Sequence, residues 1–147
     1  MNPKVLCLLS DGFEEIELVT PVDILRRAGA KVVVAGMHGL AATGRCGIRV
    51  VADALLSDVD PHAFDLLLIP GGPGVGALRE DGRAALLARD FATAGKPVAA
   101  ICAAPLILMD AGLLNGKRFT AYHSVRDELG GCPDERVVVD GNLPGEG

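Results

Sequence analysis

The amino-acid sequence predicts an α/β protein whose mostly parallel sheet is covered by helices on both faces. Short apolar runs alternate with segments of helical pattern, the signature of repeated β-α units. Half of the residues are hydrophobic but only 3% are aromatic, so Val, Leu, Ile and Ala must build the core. Such a core suits strands buried on both faces. The 147 residues fit one domain, 1–147, with no internal repeat, low-complexity tract or linker to divide them.

Taken in order, Lys4 to Leu9 reads as the first strand, broken by Asp11-Gly12. A helix follows from about Glu14 to Ala28, stopped by Gly29. Asp11 and Glu14 stand at capping-box spacing, and Glu14, Glu15 and Glu17 put negative charge near the helix N-terminus. Lys31 to Ala35 is the second strand. Between Gly36 and Asp58, a β-rich piece at Ile48 to Val51 is expected to pair as an excursion from the main sheet. Asp65 to Ile69 is a strongly apolar strand ended by Pro70-Gly71-Gly72-Pro73-Gly74. A helix is expected from about Asp81 to Ala94, a buried strand at Val98 to Ile101, and a helix at Ala103 to Ala111. Strands at Arg118 to Tyr122 and Arg136 to Val139 complete the expectation.

The net charge of −5 argues against nucleic acid or an anionic membrane as the main partner. The longest apolar run, Pro97 to Met109, is too short to span a bilayer, and Val5 to Leu9 is too short for a signal-peptide core. A cytoplasmic location is therefore expected. The cysteines at 7, 46, 102 and 132 form no C-x-x-C pair and have no zinc-like spacing, so free thiols and no metal are expected.

Cys102 sits where a buried strand runs straight into a helix, in Pro97-Val98-Ala99-Ala100-Ile101-Cys102-Ala103-Ala104-Pro105. Small neighbours let the backbone fold sharply, following the logic of a nucleophile elbow. The free N–H groups there, Ala103 included, and the helix dipole would stabilise a thiolate, so a pKa below the ordinary thiol value of about 8.5 is expected. A buried structural thiol is the competing reading. Gly71 and Gly72 free backbone N–H groups at the same sheet edge, a candidate oxyanion cradle. Pro21 cannot donate to the Glu17 carbonyl, and Ile16, Leu18 and Val19 surround Glu17 with apolar side chains. Partial desolvation would raise its carboxyl pKa and suit it to proton donation, whereas Glu14 and Glu15 read as an exposed acidic first turn.

With these elements in place, the chain resembles the ThiJ/PfpI superfamily. Asp11-Gly12-Phe13-Glu14-Glu15-Ile16-Glu17, Pro21-Val22-Asp23 and Arg26-Arg27-Ala28-Gly29 look like its first helix. Pro70-Gly71-Gly72 and Ala100-Ile101-Cys102-Ala103-Ala104-Pro105 resemble its glycine turn and elbow, and the match runs in order from Lys4 to about Asn142. The resemblance implies a flavodoxin-like three-layer sandwich, usually dimeric, with Cys102 as nucleophile and Glu17 hydrogen-bonded to it. The intracellular protease-like branch carries a His after its nucleophile. Ala103 is instead like the branch of the Parkinson-disease protein deglycase and bacterial glyoxalase-like proteins. That branch often has a His after its Thr-rich strand. Here Tyr122 is in register with it and His123 follows, so both are candidates; on a strand only one would face Cys102. Family chains continue past Asn142 with a closing helix, whereas this sequence stops at Gly147. An open sheet face is expected to need a partner, with a homodimer interface on the first helix and the Gly36 to Ile48 stretch.

The resemblance implies cofactor-free conversion of small α-oxoaldehydes through a hemithioacetal on Cys102, with Glu17 as acid/base. The same residues would serve an oxidative-stress sensor or chaperone acting through Cys102 oxidation. An intracellular cysteine peptidase is the weaker alternative, because the elbow supplies no histidine.

Overall fold

The computed structural model describes residues 2–141 and 143–146. The strands are β1 (Lys4–Leu9), β2 (Lys31–Gly36), β3 (Ala41–Thr43), β4 (Arg49–Val51), β5 (Ala54–Leu55), β6 (Leu66–Ile69), β7 (Val98–Ile101), β8 (Val137–Asp140) and β9 (Leu143–Glu146). The α-helices are α1 (Glu15–Arg27), α2 (Val75–Asp81), α3 (Arg83–Thr93) and α4 (Pro105–Asp110). Seven strands form one sheet in the order β5-β2-β1-β6-β7-β9-β8, parallel throughout except for the β8–β9 pair. This is the flavodoxin-like α/β arrangement.

Strand alternation divides the core between the two faces. Leu6 and Leu8 of β1 with Leu67 and Ile69 of β6 pack with residues of α2, α3 and α4, including Leu78, Phe91 and Ile107. Val5, Cys7 and Leu9 with Leu68 pack against Leu18 and Val22 of α1. Both faces of β1 and β6 are therefore apolar, which explains why their sequences are unbroken hydrophobic runs rather than alternating ones. The expected excursion forms as an antiparallel hairpin, with Ala41 opposite Val51 and Thr43 opposite Arg49. Ala42 and Val50 lie on the α1 side of the sheet.

Several expectations need correction. Glu14, not Asp11, caps α1: its carboxylate accepts the Glu17 N–H at 3.0 Å. Asp11 instead accepts the Thr43 N–H at 2.9 Å and so ties the hairpin to the β1–α1 loop. The helix expected from Asp81 begins at Arg83, because Gly82 adopts φ +83° and ends a separate helix, α2. Arg118 to Tyr122 forms no strand. The position beside β7 is taken by β9, and the buried Thr120 hydroxyl donates to the Pro133 and Glu135 carbonyls rather than joining a ladder. No helix of the described residues is long and apolar enough to cross a membrane.

Candidate active site

The C-terminal ends of β1, β6 and β7 converge where the strand order reverses, the position at which open α/β sheets bind ligands. Three chain segments meet there. The N-cap and first turn of α1 carry Glu14 to Glu17, the β6–α2 loop carries Gly71 and Gly72, and the β7–α4 turn carries Cys102.

Cys102 has φ +62°, the only described non-glycine residue with positive φ. Left-handed backbone at a residue with a Cβ costs of order 1–3 kcal/mol, and the surrounding contacts must hold it. They are visible. The Ala104 N–H donates to the Ile101 carbonyl at 2.9 Å, and the Tyr122 N–H donates to the Cys102 carbonyl at 2.8 Å. Gly71 presses on the turn from the side: a Cβ there would lie 2.7 Å from the Ile101 oxygen and 2.8 Å from the Cys102 Cβ. Gly72, at φ +104°, packs equally tightly on the β1–α1 loop, where a Cβ would lie 2.6 Å from the Gly12 oxygen. The glycine pair is therefore required by close approach on two sides.

The Gly72 and Ala103 backbone favours the Cys102 thiolate, whereas the Gly71 backbone favours the Glu17 carboxylate. The three expected backbone donors are thus split between the two side chains. Glu17 is half-buried and within hydrogen-bonding reach of the thiol, although its Oε2 makes no strict hydrogen bond among the described residues. Burial raises the Glu17 pKa, and the contact with Cys102 offsets only part of that rise.

The expected low thiol pKa is corrected. Burial, and then the Glu17 carboxylate, push Cys102 up to about 12 against the pull of the Ala103 and Gly72 N–H groups. The six-residue α4 brings too small a dipole to overcome a neighbouring full charge. The two acids behave as a coupled pair that holds one proton across a wide pH range. When that proton is on Glu17, the carboxylic acid donates toward the sulfur and the thiolate loses its anionic neighbour.

Cys102, Gly72, Ala103 and Tyr122 line a cavity of about 320 Å³, with Arg45 and Arg79 also on its wall. Tyr122 therefore faces the site. His123 is exposed, is not part of the cavity wall, and packs against Tyr122 in a tilted arrangement with ring centroids 4.1 Å apart. Sequence reasoning missed Arg45, which lies in a hairpin turn between Gly44 and Cys46 that is placed by a long-range hydrogen bond from its own N–H to the Phe13 carbonyl. It also misread Glu15, which is 7% exposed rather than part of a solvated acidic turn. The remaining thiols differ in access: Cys7 is buried, Cys46 exposed and Cys132 intermediate.

Comparison with known proteins agrees with this geometry. The model of the DJ-1/PfpI family matches residues 3–144. The chain is 41% identical over 148 residues to the putative cysteine protease YraA of Bacillus subtilis, covering 97% of this chain and 88% of that one. It is 38% identical over 143 residues to deglycase PfpI of Pyrococcus furiosus, covering 95% and 86%. The crystal structure of Drosophila melanogaster DJ-1beta superposes with a TM-score of 0.94 at 37% identity, covering 99% of this chain and 82% of that one. Identity to the PfpI and DJ-1beta proteins is nearly equal, so overall similarity does not choose between branches and the residues of the site must. With its strained cysteine, its glycine turn and a match over almost its whole length, the chain belongs to the DJ-1/PfpI family.

Proposed function

We propose that this protein converts small α-oxoaldehydes to 2-hydroxy acids, with Cys102 as nucleophile and Glu17 as the proton carrier. The observation that supports this reading is the Cys102–Glu17 pair itself, a strained thiol on the cavity wall with a half-buried carboxyl group of raised pKa behind it. In the reactive form the proton resides on Glu17 and the thiolate on Cys102. The sulfur attacks the aldehyde carbon, and Glu17 protonates the resulting oxygen to give a hemithioacetal. The Glu17 carboxylate then removes the hydrogen of that carbon as a proton and returns it to the adjacent carbonyl carbon, while the hemithioacetal hydroxyl proton passes to the former carbonyl oxygen, leaving a 2-hydroxy thioester. One carbon is oxidised as its neighbour is reduced, so the reaction needs no external oxidant or cofactor. The resulting thioester is hydrolysed by water, releasing the hydroxy acid and the thiol. Tyr122 stands on the cavity wall and would contact the substrate, while His123 supports the Tyr122 ring.

The similarity to deglycase PfpI supports the same chemistry on glycated thiols or amines. Ala103 offers no imidazole beside the nucleophile, which weighs against peptidase activity despite the similarity to YraA. For assembly, we infer a homodimer through α1 and the hairpin. Ile16 (71% exposed), Val19, Ile48 and Val51 (70%) leave an apolar face there. Formation of lactate from methylglyoxal by the wild type but not by Cys102→Ala tests the catalytic reading. Equal rates would remove Cys102 from the mechanism.

A further inference from the structure

The cavity beside Cys102 carries two arginines in different electrostatic states. Arg79 is fully engaged: Nε and Nη2 bond the Asp110 carboxylate at 2.8 and 3.0 Å, and Nη1 meets Glu128 at 2.6 Å. With two carboxylates around one guanidinium, the cluster carries a formal charge of −1. Arg45 is exposed and forms no ion pair with any described residue, yet it stands on the same wall. In a chain of net charge −5, it is the cavity-wall cation left without a salt-bridge partner among the described residues.

The hairpin turn that carries Arg45 is fixed from below. Its own N–H donates to the Phe13 carbonyl at 2.9 Å. The Glu15 carboxylate accepts the Cys46 and Ile48 N–H groups through Oε2 at 2.9 and 3.2 Å. Gly44 lies directly on that carboxylate, where any Cβ would overlap it. Glu15 is 93% buried by its 7% exposure, and its Oε1 has no partner among the described residues. Burial opposes its ionisation, but the backbone N–H groups and the Arg45 charge hold its pKa below the usual carboxylate range. A buried carboxylate that anchors a turn while leaving one oxygen unpaired is costly. Its return is a rigid placement of Arg45 at the mouth of the site. The charge also reaches the reacting pair, since Arg45 lowers the Glu17 pKa.

We propose that Arg45, positioned by Glu15, determines specificity, so that the preferred substrate is an α-oxoaldehyde bearing a carboxylate or phosphate group; this rests on the reading of Cys102 as nucleophile. Neutral methylglyoxal is then a minimal substrate that leaves Arg45 unused. The cavity, about 320 Å³, is within the range of small-molecule sites and larger than a three-carbon aldehyde requires. The product would be a hydroxy acid with a second anionic group.

The test begins with a readout that needs no turnover. Rates of Cys102 alkylation by anionic iodoacetate and neutral iodoacetamide are measured for wild type, Arg45→Gln and Arg45→Lys. The iodoacetate-to-iodoacetamide ratio should fall about fivefold or more in Arg45→Gln, be largely retained in Arg45→Lys, and decline with added salt in the wild type. An unchanged ratio in Arg45→Gln, with Cys102 still reactive, overturns this inference alone. A Cys102 inert to both reagents overturns the nucleophile reading and this inference with it. In turnover, γ,δ-dioxovalerate and phosphooxypyruvaldehyde are compared with neutral propylglyoxal. A higher kcat/KM for either acid in the wild type, lost in Arg45→Gln, supports the proposal and identifies the anion. Equal kcat/KM for all three aldehydes refutes it.

Discussion

Replacing Glu17 with Gln should lower the pKa of Cys102 and abolish the shared proton. Burial is the larger cause of the raised thiol pKa and persists in the variant; the carboxylate charge is removed. A unit charge at hydrogen-bonding range, roughly 4 Å, through an effective dielectric of about 20 is worth at most about 4 kcal/mol. Partial solvent access and the hydrogen bond that Gln retains reduce the net effect to about one or two pKa units at ~1.4 kcal/mol each. The upper step of the thiol, about 12 in the wild type, should therefore fall by that amount. The assay is the iodoacetamide alkylation rate of Cys102 across pH, followed by peptide mass spectrometry. In the wild type the one-proton state gives a rate plateau across neutral and mildly alkaline pH, followed by a rise toward the upper step at about 12. Glu17→Gln should lose the plateau and rise about tenfold per pH unit toward a single midpoint below the wild-type upper step. Superimposable profiles, both rising steadily through neutral pH, would refute a proton shared between Glu17 and Cys102.

Other perturbations reach different parts of the site and fold. Gly71→Ala forces a Cβ to within 2.8 Å of the Cys102 Cβ. It should cost about 1–3 kcal/mol in urea unfolding and reduce turnover more than tenfold by displacing the elbow. The hydrogen bonds from Arg83 hold the Asp81 carboxyl well below the usual aspartate range. A depressed folded-state pKa stabilises above the unfolded value of about 3.9, and that contribution fades as pH falls further. Wild type should therefore exceed Asp81→Asn by on the order of 1 kcal/mol near neutrality, with the gap closing in thermal melts below about pH 4. Sedimentation equilibrium should show a dimer that Val19→Asp shifts toward monomer; a wild-type monomer at high concentration would remove the proposed interface.

The sequence made legible those features that depend on local pattern. Unbroken apolar runs identified β1, β6 and β7, and small residues flanking Cys102 identified the elbow, whose φ of +62° the structure displays. Glu17 was singled out through its apolar neighbours and Pro21, but Ile16 and Val19 are exposed and do not bury it; its carboxyl group is half-buried beside Cys102 instead. What escaped depends on contacts distant in the chain. Glu15 resembles its exposed neighbour Ile16 in no chemical respect, yet it is the buried member of the pair, because the Cys46 and Ile48 N–H groups need an acceptor. Arg118 to Tyr122 has strand-like composition, but tertiary hydrogen bonds at Thr120 hold it outside the sheet. The thiol pKa was misjudged because helix-end charge was weighed without burial and, after it, the opposing carboxylate of Glu17.

The central claim is that substrate carbon becomes bonded to Cys102 during turnover. Rapid quenching of wild-type protein with methylglyoxal, followed by peptide mass spectrometry, measures this directly. The account predicts an adduct of substrate mass on the Cys102 peptide that accumulates and decays at the rate of lactate release, and no lactate from Cys102→Ala. Lactate formed at the wild-type rate with no adduct on Cys102, or by Cys102→Ala, would contradict it.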